Sequence, residues 1–201
     1  MRLYLLGISL LALTFAFSAC GSPEQADYQV PAETSAHDDF FANLQALCGE
    51  TFTGQSTFPE NEDHALVGTQ LVTHVSECND QFVRIELLRE GGDYWHGAWV
   101  VERRDEGLHL FHDHLGEVRT MEELEASGDS HGYGGFASDA GSAVQQFFHA
   151  DDVTAEMIPE ATTNVWMMEL DLDNDRFIYY LERHEAPRFR AELFHHTEEE
   201  A

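Results

Sequence analysis

Trp95-His96-Gly97-Ala98-Trp99-Val100-Val101-Glu102-Arg103, then Asp105-Glu106-Gly107, then Leu108-His109-Leu110-Phe111-His112-Asp113-His114 is the stretch that decides the fold of this 201-residue chain. Two runs rich in aromatic and branched residues flank a short polar break that ends in glycine, the pattern of a β-hairpin. If Asp105-Glu106 is a two-residue turn, Leu108 lies opposite Arg103, Leu110 opposite Val101, His112 opposite Trp99 and His114 opposite Gly97. A three-residue turn with Gly107 as a bulge gives other partners. In the first register one strand face runs Leu108, Leu110, His112, His114, apolar at one end and polar at the other. The interior of a small barrel with a ligand pocket is lined in this way.

Working outward, similar runs recur at 51–58, 70–77, 82–88, 144–148, 164–171, 176–183 and 189–194. Turn-forming clusters separate them: Cys78-Asn79-Asp80, Gly91-Gly92-Asp93, Asp171 to Asp175, and Glu185-Ala186-Pro187. The regular spacing predicts a mainly β domain, an antiparallel meander closed into a barrel of lipocalin-like shape, with a β-sandwich as the alternative. Trp95, Trp99, Trp166, Phe177, Tyr179 and Phe189 are expected to fill its core. A short helix precedes the strands, capped by Asp38 or Asp39, with Phe41, Leu44 and Cys48 on one stripe and Gly49 as its stop. Two helical insertions are expected. Thr120-Met121-Glu122-Glu123 matches a capping box and leads to a stop at Gly128, and Asp151 or Asp152 begins a second that ends near Pro159. Ser130-His131-Gly132-Tyr133-Gly134-Gly135 reads as a loop or barrel corner.

The N-terminus carries an address. Arg2 precedes an apolar run from Leu3 to Phe17, too short to span a bilayer, which closes on Phe17-Ser18-Ala19-Cys20. Small residues followed by cysteine resemble a bacterial lipoprotein signal, so residues 1–19 are expected to be removed and Cys20 to take a diacylglyceryl group. Residues 20–37 then form a flexible tether, and residues 38–201 a single β-rich domain. Gly21 after the cysteine favours the outer membrane of a cell envelope. With Cys20 committed to lipid, Cys48 and Cys78 remain as an even pair in an exported protein, and a disulfide between them is the expectation.

Charge excludes one class of partner. Ten Arg and no Lys face 38 carboxylates, for a net charge of −28, so the surface repels nucleic acid and anionic headgroups. A dense carboxylate surface keeps a protein soluble, and salt screens its self-repulsion.

Chemistry-bearing residues gather around the opening hairpin. Trp99, His112, His114 and Tyr133 are the candidate ligand-binding residues. Two histidines at i, i+2 on one strand also suit a shared metal, for which His74, His96 or His131 would supply the third ligand. Asp171-Leu172-Asp173-Asn174-Asp175 with Glu182 resembles a calcium loop, but Arg176 stands where glycine is required, so an acidic hairpin turn is expected. No nucleophile elbow, HExxH or Walker pattern occurs.

Phe41, Leu47-Cys48-Gly49, Phe52 with Gly54, His74-Val75 with Cys78, Gly107-Leu108 and His112-Asp113-His114 stand in an order that continues through Tyr133-Gly134-Gly135, Asn164-Val165-Trp166 and Phe177-x-Tyr179-x-Leu181. In these residues the chain resembles a group of uncharacterised exported bacterial proteins. It departs from the group in its acidity, its lack of Lys and the helical stretch after Arg119. The resemblance implies the paired cysteines and directs attention to His112, Asp113 and His114; it carries over no catalytic role and no cofactor. The expected function is a lipid-anchored envelope protein that binds a small, partly apolar ligand in a barrel pocket. The alternatives are a metal-dependent hydrolase using His112 and His114, and a non-catalytic structural or interaction lipoprotein.

Overall fold

Ten strands follow one another around a closed ring in which every neighbouring pair is antiparallel. The computed structural model describes residues 35–60, 66–89, 94–114 and 132–196, without the side chains of 94–96. All of these lie in the unit Thr34–Ala201. The expectations for Cys20, the signal, the capping box at Thr120, His131, and the side chains of Trp95 and His96 fall outside the described residues. So does most of the tether.

The strands are β1 (Thr51–Phe58), β2 (Leu71–Cys78), β3 (Phe82–Arg89), β4 (Tyr94–Arg104), β5 (Gly107–Asp113), β6 (Gly132–Ala137), β7 (Gln145–Ala150), β8 (Val165–Asp171), β9 (Arg176–Arg183) and β10 (Ala186–His195). Closure comes from β1, which pairs with β2 on one side and β10 on the other. The architecture is the barrel, not the sandwich. Alternation sorts the side chains: Val83, Ile85 and Leu87 of β3, Trp99 and Val101 of β4, and Ala191 and Leu193 of β10 are buried inside. No helix of the described residues is long and apolar enough to cross a membrane.

One end of the barrel is plugged by α1 (Ala36–Ala46), whose Phe40, Phe41 and Leu44 are buried in the barrel core. Its N-cap is Ser35, whose hydroxyl accepts from the Asp38 amide at 3.1 Å and donates to the Asp38 carboxylate at 2.7 Å. The helix therefore starts a turn earlier than an Asp38 or Asp39 cap predicts, within the segment expected to be tether. The acids instead occupy the first turn, where the helix dipole favours them. Cys48 lies just beyond the helix rather than on its stripe, and Gly49 turns the chain at φ 90° into β1. The expected Cys48–Cys78 disulfide is formed, with Cα atoms 6.1 Å apart, and ties the helix exit to the end of β2.

Two local expectations are corrected. Residues 132–135 belong to a strand, β6, and not to a loop or corner. The turn before β10 is His184-Glu185, both in the left-handed region at φ 54° and 58°, and Ala186-Pro187 already pair with Arg183 and Glu182. Two consecutive left-handed residues make the tight hairpin turn that matches strand twist, though Asn and Gly are the residues that favour it.

Candidate functional site

The hairpin register falls out as the two-residue turn requires: Arg103 opposite Leu108, Val101 opposite Leu110 and Trp99 opposite His112. Tyr133 of β6 lies on the other side of His112. The four candidate ligand-binding residues are thus brought together on the inner wall, toward the end of the barrel away from α1. The His112 and His114 rings are 4.5 Å apart, and Tyr133 stands 5.3 Å from His112 and 5.0 Å from His114. Trp99 is 6.3 Å from His112 and 4.0 Å from Tyr179. Trp166, which the sequence suggested only as core, extends the cluster at 5.9 Å from Tyr133. Burial pushes the Tyr179 hydroxyl well above its ordinary range, with nearby Tyr133 acting in the same sense, so it stays a neutral phenol.

Two glycines set this wall. A Cβ on Gly134 would sit 1.9 Å from the Leu110 carbonyl oxygen and 2.9 Å from the His109 ring, so β6 can lie this close to β5 only without a side chain there. That is why a glycine-dense segment forms a strand. Gly97 has φ 76°, and a Cβ there would meet the Asp113 carbonyl at 2.0 Å. It bends β4 beside His114, near a register shift between β3 and β4.

Outside the barrel, a second polar group was missed from sequence. His109 is fully buried on the outer face of β5, with Nε2 3.0 Å from Asp151 and Nδ1 3.9 Å from Glu102. Asp151 is the N-cap of α2 (Asp152–Met157), as expected, and its other oxygen accepts from the Thr154 amide at 2.8 Å. The buried Thr154 hydroxyl donates to the Gly134 carbonyl at 2.6 Å and accepts from the Gly134 amide at 2.8 Å. These bonds fasten α2 to the strand that carries Tyr133. The only sequence signal was a lone histidine at an outward strand position, which says nothing of burial until α2 is known to cover it.

Burial pushes the His109 imidazole below its ordinary value, and this outweighs the pull of Asp151 in the other direction. Burial also works to raise the Asp151 carboxyl, but its bonds with His109 and Thr154 hold it below the usual range. In the unfolded chain the imidazole takes up its proton near pH 6.5. Below that pH the unfolded state therefore binds more protons than the folded state, and stability falls. The Tm is expected to decline as pH drops from 7 to about 5.5, and His109→Gln, which keeps a polar contact without titrating there, should decline less. An equal decline in both proteins would show that His109 is not responsible.

The remaining candidates separate from the cluster. His74 neighbours inward-facing Thr73 and Val75 and so faces outward, its Nδ1 3.0 Å from the Thr51 hydroxyl, which removes it as a third ligand beside His112 and His114. Among the described residues, no group of three or more His, Cys, Asp or Glu is arranged to hold a metal. Asp171 to Asp175 form the β8–β9 hairpin turn, where the Asp171 carboxylate is engaged by Asn174 at 2.9 Å and Arg176 at 2.8 Å. No protein-family model, curated protein or solved structure matches the chain.

Proposed function

We propose that this is a lipid-tethered protein of the cell envelope, one of a group of exported bacterial proteins, whose barrel binds a small, partly apolar ligand at the end away from α1. The observation that carries this reading is the placing of polar rings at one end of an apolar interior. One continuous core runs from Phe40, Phe41 and Leu44 at α1 to Trp99 and Trp166, and at the end away from α1 it meets the rings of His112, His114 and Tyr133. Rings supply large apolar contact, and imidazole and phenol groups supply the few directed hydrogen bonds that orient a bound molecule. Attachment through Cys20 suits a chain whose charge of −28 would not hold it on an anionic surface.

Native mass spectrometry of the full chain from membranes of its own host tests the reading. The expected spectrum has a diacylglyceryl mass that survives denaturation and a small organic mass that does not. Polypeptide mass alone, in folded protein, would overturn the ligand. A metal in place of an organic molecule would favour the hydrolase alternative instead.

A further inference from the structure

β7 does not finish the wall that β6 begins. On one side β5 pairs with β6 from Gly132 to Phe136, but on the other β7 reaches only Gly135, Phe136 and Ala137 before it ends at Ala150. Gly134 therefore has no β7 residue opposite it, and α2 takes that place. The Asp151 amide donates to the Gly134 carbonyl at 3.1 Å, and the Thr154 hydroxyl bonds both the carbonyl and the amide of the same residue. The wall is closed here by a helix end rather than by a strand.

This closure is weakly built. α2 is six residues long, too short to be stable alone, and Thr154 is its one fully buried residue. Val153 and Met157 are exposed, so these apolar side chains do not hold it to the barrel. What holds it is polar: Thr154 on Gly134, and Asp151 on His109. Phe148 of β7 and Trp166 of β8, by contrast, are anchored in the core.

His109 is the part that can change state. A carboxylate only accepts, so the Nε2 that faces Asp151 at 3.0 Å carries the proton, and Nδ1 is left bare, buried and without a hydrogen-bond partner. Around the ring stand Glu102 and Arg104 of β4, Asp151, and the Phe136 ring of β6 at 4.7 Å. Asp152 and Glu156 of α2 and His149 of β7 are exposed. A proton on Nδ1 would face Glu102 at 3.9 Å, beyond hydrogen-bond length, and that carboxylate already accepts from Arg104 at 2.7 Å. Asp151 attracts an imidazolium, but burial and Arg104 oppose it. With α2 lifted, water would reach both the charge and the new N–H.

We propose that α2 is an acid-released latch across the unfinished β6–β7 seam, lifting from Gly134 while the strand pairs of the ring stay formed. Lifting bares the β6 backbone next to Tyr133. The latch stands apart from the ligand reading, because it requires no bound molecule.

Hydrogen exchange of the full chain tests it, read amide by amide by NMR between pH 7 and about 5.5 and expressed as protection relative to an unstructured peptide. The amides of Gly134, Thr154 and Ala155 report the latch, and those of β3 and β9 report the barrel. At every pH the latch amides are expected to be protected less than the barrel amides, on the order of tenfold or more. Their protection should fall as the pH drops below about 6.5, by up to roughly tenfold per pH unit, because the lifted state then binds more protons than the closed one. His109→Gln should flatten that fall. Thr154→Val, which removes both hydroxyl bonds to Gly134, should lower latch protection on the order of tenfold at every pH and keep the slope. Latch amides as well protected as the barrel would mean that α2 leaves only when the whole domain unfolds, which overturns the latch. Protection that does not change with pH, or that falls equally in His109→Gln, overturns its release by acid. The comparison with the barrel and the pH series need no variant to fold.

Discussion

Phe40→Ala is expected to destabilise the folded domain by about 3–5 kcal/mol, lowering Tm by on the order of 10 °C. Phe40 is wholly buried where α1 closes the barrel, so truncation removes apolar contact and leaves a void that the ring of strands cannot collapse to fill. Polar contacts fix the helix in place around it. The Asn43 amide donates to the Ala143 carbonyl at 2.9 Å, the Gln146 amide to the Ala36 carbonyl at 3.3 Å, and the Arg103 guanidinium lies 4.3 Å above the Phe41 ring. Because the helix is held from both sides, it cannot slide to cover the gap. Thermal or urea unfolding measures the loss. A change below about 1 kcal/mol would mean that α1 is an attachment to the barrel rather than part of its core.

Replacing Cys48 and Cys78 together by serine is expected to cost about 3–4 kcal/mol. The bond closes a loop across a sequence separation of 30 residues, and the chain entropy that it removes from the unfolded state is lost on substitution. A thiol reductant should lower the Tm of the unsubstituted protein by about the same amount as the double substitution, and should leave the double variant unchanged. If reductant destabilises both alike, the effect lies elsewhere.

The barrel was legible because its strands alternate. In β3 the inward series Val83, Ile85, Leu87 is unbroken, and in β9 Phe177 and Tyr179 follow the same period. The break at Asp105-Glu106-Gly107 allowed two registers, and the one formed is that of the two-residue turn, which sets Trp99 opposite His112. β6 was not legible because its glycines signal a break in any local reading. Only the neighbouring backbone of β5, too near Gly134 to admit a Cβ, explains why they form a strand. β3 runs one residue past the stretch expected from sequence, so that Arg89 pairs with Leu71 at the strand end. His109 and Asp151 are 42 positions apart, and their meeting depends on how α2 folds back over β5.

The pairing of β1 with β10 also governs when the domain can form. Gly54 and Leu193 are neighbours in space, yet almost the whole described chain lies between them. No partial chain that lacks β10 can shut the ring, and until it arrives β1 and β9 each present a bare edge to any extended peptide nearby. A chain still being synthesised therefore stays open until its last strand is made. That delay makes the incomplete chain the form most exposed to aggregation.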